Sequence, residues 1–172
     1  MKSVQQLIHQ FNLLPHPEGG WYAETYRSKD VIPRESLPTS FSGDRIMSTA
    51  IYFLLEQENF SAFHRIKSDE CWHFYAGDPL EIFILQPDGA MKIVLLGNDH
   101  EAGHSFQYVV PAHCWFASRP ARGSQFCFMG CTVSPGFDFA DFELAFRHDL
   151  VQEYPGHQSL INELCRHNLT NG

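Results

Sequence analysis

The sequence predicts an all-β domain built from many short antiparallel strands. Strand-like runs follow one another from Ile46 onward, turn residues separate them, and no long helical pattern interrupts them. The runs are IMSTAIYFLL, SAFHRI, CWHFYA, LEIFILQ, MKIVLLG, FQYVVP, CWFAS and SQFCFMGCTV. Pro87-Asp88-Gly89 and Gly97-Asn98 are typical separators, because these residue types favour tight turns. Since a parallel sheet needs crossover helices, the pattern favours a sandwich or a barrel.

A short helix is predicted at the start of the chain. Ser3 is a good N-cap, and Val4, Leu7, Ile8 and Phe11 follow it at helical spacing. The stretch LPHP ends this helix, because a proline disfavours helical conformation in the residue before it.

A strand and a helical tail complete the expected elements. The strand WYAETYRS opens after Gly19-Gly20. Near the other end, Leu150 to Tyr154 and Gln158 to Arg166 are predicted to be helical and are separated by Pro155-Gly156. We therefore expect an all-β core with helical segments at both ends.

The length and composition are those of one globular domain. The chain has 172 residues, of which 44% are hydrophobic and 19% charged. No repeat or low-complexity linker divides it, so a single domain is predicted over residues 1–172. Its strand core is expected at about residues 20–146 and its helical tail at about residues 148–168.

The charge and the apolar runs point away from two classes of partner. The formal net charge is −8, and no cluster of Lys and Arg is present. Nucleic acid and anionic membranes are therefore not expected partners, because both attract clustered positive charge. No run reaches the roughly 20 apolar residues needed to span a bilayer. A cytoplasmic protein with a small-molecule ligand is the expectation.

Two stretches resemble the motifs of the cupin superfamily. The first motif has two histidines two residues apart, followed by a glutamate and then a glycine. In FHRIKSDECWHFYAG, residues 63–77, these positions hold His64, Ile66, Glu70 and Gly77. In VVPAHCWFASRP, which resembles the second motif, Phe116 stands in the histidine position.

The chain as a whole is similar to one branch, the fifth cupin family, a domain family of unknown function. The similar segments are HPEGGWYAETYRS, TAIYFLL, FHRIKSDECWHFYAGDPL, VPAHCWF and GCTVSPGFDFADFEL. The resemblance covers about residues 3–160. It implies a double-stranded β-helix, an antiparallel barrel of the jelly-roll type, and usually a homodimer. It does not imply a known reaction.

The residues in the ligand positions do not favour a metal centre. Strand alternation puts His64 and Ile66 on one face, and the four cupin ligand positions hold His64, Ile66, Glu70 and Phe116. Ile66 and Phe116 have no donor atom, whereas catalytic zinc and the iron facial triad need about three protein ligands. No metal and no other cofactor is therefore predicted. The alternative is a metal-dependent oxygenase or isomerase that recruits another ligand, such as His73 through a β-bulge.

The candidate catalytic residues are His64, Glu70 and Tyr52. A carboxylate beside an imidazole orients it and stabilises its cation, so His64 is the candidate base and Glu70 its partner. Tyr52 is a candidate proton donor, while Tyr75 is disfavoured by strand parity. This arrangement resembles the metal-independent deoxysugar-nucleotide epimerases, which are cupins of another branch. A buried pair that only specifies packing is the alternative for His64 and Glu70.

Four apolar residues are expected to line the same pocket. If Glu70 points inward, Trp72 and Phe74 follow it, and Ile66 and Phe116 fill the vacant ligand positions. Such a pocket suits a sugar-like or nucleotide-like metabolite. The function predicted is a metal-independent isomerase or epimerase, with a metal-dependent cupin enzyme or a non-catalytic ligand-binding or storage-type cupin as alternatives.

The remaining polar groups are predicted to have structural rather than catalytic roles. Glu18-Gly19-Gly20 is interpreted as a tight turn, because a strand rather than a phosphate-binding helix follows it. Asp138, Asp141 and Glu143 are interpreted as a solvated acidic face. Arg27 is expected to make a surface salt bridge.

Overall fold

The computed structural model describes residues 3–166, in three helices and thirteen strands. The helices are α1 (Val4–Phe11), α2 (Arg147–Glu153) and α3 (Gln158–Leu164). The strands are β1 (Leu14–Pro15), β2 (Trp21–Arg27), β3 (Val31–Ile32), β4 (Arg45–Ile46), β5 (Thr49–Glu56), β6 (Ser61–Arg65), β7 (Asp69–Gly77), β8 (Leu80–Leu85), β9 (Met91–Leu96), β10 (Gln107–Val110), β11 (Trp115–Pro120), β12 (Phe126–Ser134) and β13 (Glu143–Leu144).

The strands form two main antiparallel sheets. The larger has the order β1-β2-β5-β12-β7-β10, and the smaller has the order β13-β6-β11-β8-β9. Strands β3 and β4 pair separately. The all-β jelly-roll prediction is confirmed. The two sheets do not close into a continuous barrel: among the described residues β9 and β10 do not pair, and the isolated bridge of Leu96 in β9 is to Ser105, which precedes β10.

The core lies between the two sheets and is rich in aromatic side chains. Phe53, Trp72 and Met129 enter it from the larger sheet, and Ile82 and Phe116 from the smaller one. All five side chains are almost fully buried. Their burial supplies the main stabilisation of the two-layer architecture.

Helix α1 begins and ends as its sequence predicts. The Ser3 hydroxyl accepts a hydrogen bond from the Gln6 backbone N–H at 3.3 Å, and the Gln6 side chain accepts one from the Ser3 N–H at 2.9 Å. This is a capping box. Asn12 ends the helix at φ 52°. The helix packs Leu7 against Leu54 on the outer face of the larger sheet, and that face is therefore buried at this end.

The helical tail packs on the outside of the smaller sheet. Leu150 of α2 and Ile161 and Leu164 of α3 are buried with Phe63 and Trp115. The helices fall within the tail predicted at residues 148–168, apart from the first residue of α2. The last two residues of that prediction lie outside the described part of the chain.

Candidate functional site

One end of the space between the sheets is an open cavity of about 430 Å³. Strand β2 contributes Tyr22 and Glu24 to its wall, and β5 contributes Ile51 and Phe53. The segment 137–142, which follows β12, covers one side with aromatic side chains. Acidic and imidazole groups meet within this otherwise apolar cavity.

Both ring nitrogens of His64 already have partners in the protein. His64 lies on β6 and is only 3% exposed. Its Nδ1 is 2.7 Å from the Ala62 carbonyl oxygen, and its Nε2 is 3.1 Å from Oε2 of Glu18. A carbonyl oxygen only accepts, so Nδ1 carries a hydrogen. The contact between Nε2 and Glu18 therefore needs one more proton, which the imidazole and the carboxyl group share.

Glu18 is the partner of His64, a role that no sequence pattern indicates. The Ser61 hydroxyl donates to Oε1 of Glu18 at 2.8 Å and fixes the carboxyl group. Burial raises the pKa of Glu18, while His16, Ser61 and Arg166 act in the opposite direction. Burial likewise lowers the pKa of His64. A neutral carboxyl group donating to a neutral imidazole is the arrangement that burial favours.

His16 is a neighbour of this pair rather than a second ion-pair partner. The backbone N–H of Glu18 donates to Nδ1 of His16 at 3.3 Å, so Nδ1 is an acceptor. The 3.8 Å approach of the same nitrogen to Oε1 is therefore not a hydrogen bond. Burial lowers the pKa of His16, and Glu18 only partly opposes this. The neutral ring packs edge-on against Tyr22, with centroids 4.7 Å apart.

The turn that carries Glu18 is held by the C-terminal segment. Nη2 of Arg166 donates to the Glu18 carbonyl at 3.2 Å and to the Phe60 carbonyl at 3.1 Å. Gly19 has φ 121°, and a side chain there would overlap Arg166 and the Phe60 carbonyl. Only glycine adopts this conformation at such a close approach. The tight-turn interpretation of Glu18-Gly19-Gly20 thus agrees with the structure, but the turn also positions a functional carboxyl group.

Glu70 is the second acidic group of the cavity. It lies on β7 and is 8% exposed. Burial raises its pKa to about 7; His64 opposes this rise and Glu18 adds to it. Trp72 and Cys131 lie close enough to favour the charged form, although the indole N–H of Trp72 has no hydrogen-bond partner of good geometry among residues 3–166. Glu70 can therefore gain or lose a proton near neutral pH.

This raised pKa makes stability depend on pH in a defined direction. The unfolded carboxyl titrates near 4.5 and the folded one near 7. The stability that Glu70 contributes is fully present below the unfolded value, and it is lost as the pH rises through the folded value. The difference amounts to about 3 kcal/mol. We expect Glu70→Gln to gain stability relative to the wild type between about pH 5 and about pH 8.

Urea unfolding of both proteins across this pH range measures the effect. His16 and His64 have lowered pKa values, so they destabilise the fold as the pH falls below their unfolded value. Both proteins contain them, but Glu70 raises the pKa of His64, so the variant loses this support and His64 destabilises it more at low pH. This change acts in the same direction as the expected difference, because it too makes the variant less stable at low pH than at high pH. A difference between wild type and variant that stays constant with pH would contradict the raised pKa of Glu70.

The structure brings three of the predicted site residues together at the cavity. His64, Ile66 and Glu70 all line it. Phe116 lies directly behind, with its ring centroid 4.1 Å from that of His64. Trp72 packs edge-on against Phe116 at 6.1 Å. These two aromatic residues support the cavity from the core rather than forming its surface.

Phe74 and Tyr52 lie elsewhere. Phe74 packs at the edge of the core and does not line the cavity. Tyr52 is on the opposite face of β5, beneath α1, where its ring centroid is 5.0 Å from that of Phe11. The expectation that Tyr52 faces the pocket is therefore corrected. Strand alternation puts Tyr52 on the opposite face of β5 from the residues next to it. It does not show which of the two faces lines the cavity, because α1 buries the face that does not.

His73 does not turn into the cavity. Its Nε2 is 3.1 Å from the Thr132 hydroxyl on the outer face of the larger sheet. The bulge of β7 lies after His73, between Phe74 and Ala76. Among residues 3–166, no three His, Cys, Asp or Glu side chains converge in a way that could hold a metal ion. The donors present do not fit the cupin metal site, since Ile66 and Phe116 occupy two of its positions.

The interpretation of the acidic segment also needs a correction. Asp141 is 7% exposed rather than solvated, and it accepts two hydrogen bonds of 2.6 Å from Arg45, which is 5% exposed. Glu143 does lie at the surface and pairs with Arg65 at 2.7 Å. The buried pair anchors the aromatic segment 137–142 at the cavity. Its partner residues are far apart in the sequence, so no local pattern indicated it.

The two-sheet jelly roll and its cavity at the first cupin motif define a cupin. The chain belongs to the family described as Cupin superfamily (DUF985), which matches residues 5–145. It is 32% identical to the uncharacterized protein YML079W of Saccharomyces cerevisiae over 163 residues, covering 90% of this chain and 81% of that protein.

Solved structures support the same assignment. A hypothetical protein from Leishmania major is 33% identical, with a TM-score of 0.88, covering 96% of this chain and all of that one. Protein SO0799 from Shewanella oneidensis is 37% identical, with a TM-score of 0.86, covering 98% of this chain and all of that one. An oxalate decarboxylase is similar in fold alone, at 13% identity and a TM-score of 0.52, with 92% of this chain and 40% of that one covered. No helix among the described residues has the length and apolar character needed to cross a membrane.

Proposed function

We propose that the cavity binds a small polar metabolite and moves a proton on one of its carbon atoms without a metal, as an isomerase or epimerase does. The observation that carries this proposal is Glu70, a cavity carboxyl group with a pKa of about 7. General acid-base catalysis is most efficient when the pKa of the catalytic group is close to the working pH. A cavity of about 430 Å³ is large enough for a sugar-like ring.

The sequence suggested His64 as the base and Glu70 as its partner, but the contacts of His64 support the reverse assignment. Both ring nitrogens of His64 are occupied, one by Ala62 and one by Glu18. Glu70 is therefore the better candidate for the base that reaches the ligand, and His64 is a positioning residue. The ionised Glu70 takes a proton from a carbon next to a carbonyl, and the electrons of the C–H bond form an enolate. In an isomerisation, Glu70 then returns the proton to the former carbonyl carbon, while the hydroxyl proton on the first carbon moves to the former carbonyl oxygen. In an epimerisation the proton returns to the opposite face of the same carbon, after the enolate has turned over in the cavity.

The pair formed by Glu18 and His64 assists this reaction electrostatically. As negative charge develops beside His64, the shared proton shifts from Glu18 toward the imidazole, which gives the ring positive charge. A preorganised group of this kind stabilises an enolate without having to reorient. Phe116, with Trp72 packed against it, holds the imidazole in place from behind.

The proposal is tested by hydrogen exchange into candidate ligands. Ketoses, aldoses, amino sugars, sugar nucleotides and keto acids are incubated with the protein in D₂O, with and without chelator, and carbon-bound deuterium is measured by NMR. We expect exchange that survives chelation and falls about 100-fold or more in Glu70→Gln. Glu101 is an exposed acid outside the cavity, so Glu101→Gln is the matched control. This variant should catalyse exchange into the ligand at the wild-type rate.

The other outcomes identify the alternatives. Exchange that chelation abolishes would favour a metal-dependent cupin enzyme. Binding without exchange in any of these ligands would favour a non-catalytic ligand-binding or storage-type cupin. If Tyr52→Phe lost exchange while Glu70→Gln stayed active, Tyr52 rather than Glu70 would be the catalytic residue.

We further propose that the protein forms a homodimer through the edge of β2. The two residues of β1 pair only with Trp21 and Tyr22, so the rest of β2 lacks a partner strand on that side among residues 3–166. Tyr26, on this free edge, is 54% exposed, and nearby Met47 is 49% exposed. Unpaired edges of this kind favour strand addition.

Light scattering should give twice the chain mass, and Tyr26→Lys should weaken the dimer; a monomer at all concentrations would contradict the proposal.

A further inference from the structure

The charged groups that face the cavity are predominantly negative. Glu24, Glu70 and Asp138 line it, whereas Arg27 is the one lysine or arginine among the lining residues. Glu18 also lines the cavity, but it shares a proton with His64, and that pair is neutral overall. A ligand therefore meets more negative than positive charge on entering.

Arg27 is already engaged by the protein. Its Nε and Nη2 donate to the two carboxylate oxygens of Glu24 at 2.9 Å and 2.7 Å. Asp138 is also close enough to act on Arg27 electrostatically. A bidentate carboxylate satisfies the planar guanidinium that a ligand phosphate would otherwise use. An anionic ligand would have to displace Glu24 and approach Asp138.

The entrance also presents aromatic faces. The rings of Phe137 and Phe139 are 5.0 Å apart, and each lies 6.2–6.3 Å from the ring of Phe142. Phe139 is 57% exposed, so its ring is available to a ligand. Aromatic faces attract ammonium and guanidinium groups through the ring quadrupole, and they offer an anion no comparable interaction. The buried pair of Arg45 and Asp141 holds this segment in place.

We propose that the cavity selects organic cations, ligands with an ammonium or amidinium group attached to a ring or chain, over anions of the same shape. This inference rests on the proposed function, because it names the ligand class of the same cavity. The cationic group lies against the aromatic segment, and its charge is balanced by Glu70 and Asp138. The net charge of −8 acts in the same direction at long range, by drawing cations toward the protein.

Three probes of nearly identical shape test the selectivity. Benzylammonium, benzyl alcohol and benzoate carry charges of about +1, 0 and −1 at neutral pH. Their affinities are measured by NMR titration at millimolar concentrations. We expect benzylammonium to bind about tenfold more tightly than benzoate, with benzyl alcohol between them.

Two variants separate the sources of the preference. Phe139→Leu keeps an apolar side chain but removes the ring. It should weaken the binding of benzylammonium about threefold and leave the affinity for benzyl alcohol nearly unchanged. Glu70→Gln should reduce the difference between benzylammonium and benzoate. Glu101→Gln removes one exposed negative charge outside the cavity and should leave that difference unchanged.

The outcomes are distinct from those of the exchange experiment, since none of the probes needs to react. Benzoate binding as tightly as benzylammonium would overturn the inference, and so would failure of all three probes to bind the folded protein. Glu70-dependent exchange in an anionic substrate would also overturn it while leaving the proposed function intact. Conversely, cation-selective binding without exchange in any ligand would support the inference and contradict the proposed catalysis.

Discussion

Replacing Asp141 with asparagine is expected to destabilise the fold by about 3–5 kcal/mol. Burial disfavours the charged carboxyl group, but the hydrogen bonds from Arg45 outweigh this and lower the pKa of Asp141. Asparagine cannot neutralise the guanidinium, so Arg45 would keep a buried charge without a full counter-charge. Lys67, 3.4 Å from Asp141, would lose its partner too. The loss is large because an uncompensated buried charge is far more costly than a lost surface contact.

Urea unfolding measures this loss, and the chain supplies a matched control. Glu143 pairs with Arg65 at 2.7 Å, but the two side chains are 52% and 37% exposed. Glu143→Gln should therefore change the free energy of unfolding by less than about 1 kcal/mol. Equal losses in the two variants would show that the pair of Arg45 and Asp141 is not buried in solution. Because Asp141 anchors the segment 137–142, its variant should also weaken ligand binding in the cavity.

Replacing Gly19 with alanine is expected to cost about 3 kcal/mol or more. The residue has φ 121°, a conformation that alanine rarely adopts. The new methyl group would overlap the Phe60 carbonyl and the guanidinium of Arg166. Neither the backbone of Phe60 nor the clamped Arg166 can move away without breaking the hydrogen bonds that hold the turn.

This substitution should also disturb the site, because Gly19 follows Glu18 directly. A shift of the turn moves the Glu18 carboxyl group away from Nε2 of His64, which it approaches to 3.1 Å. We expect a lower melting temperature together with slower proton exchange in the proposed reaction. Gly123→Ala is the control, since Gly123 has φ 84° and no atom within 4 Å of the new methyl position. It should cost only about 1 kcal/mol, and a similar loss in both variants would contradict the close approach at Gly19.

The local patterns of the sequence predicted most of the fold. The helix at Val4–Phe11 follows from a capping residue and helical spacing, and the strands follow from short β-branched and aromatic runs between turns. The placement of His64 and Ile66 on one face follows from strand alternation, and both line the cavity together with Glu70. These features depend on residues close together in the chain, which is why a pattern could indicate them.

The same patterns could not indicate which carboxyl group contacts His64. Glu18 looked like part of a glycine turn, yet the fold of β2 against β5 brings that turn to the start of β6. No local pattern indicated this contact, because Glu18 and His64 are far apart in the sequence. The side of the sheet on which Tyr52 lies could not be predicted for a related reason: alternation gives two faces, and only the position of α1 decides which one is the outside.

The sequence by itself therefore determined the class of fold, the order of its elements and the apolar side chains at two of the cupin ligand positions, Ile66 and Phe116. It did so because propensity, spacing and side-chain chemistry are local properties. The tertiary structure alone decided the pairing of Glu18 with His64, the burial of Asp141 against Arg45 and the raised pKa of Glu70. Each of these depends on how much water the packed chain excludes and which distant groups meet there, since a carboxyl group keeps its usual pKa until burial and a specific neighbour change it.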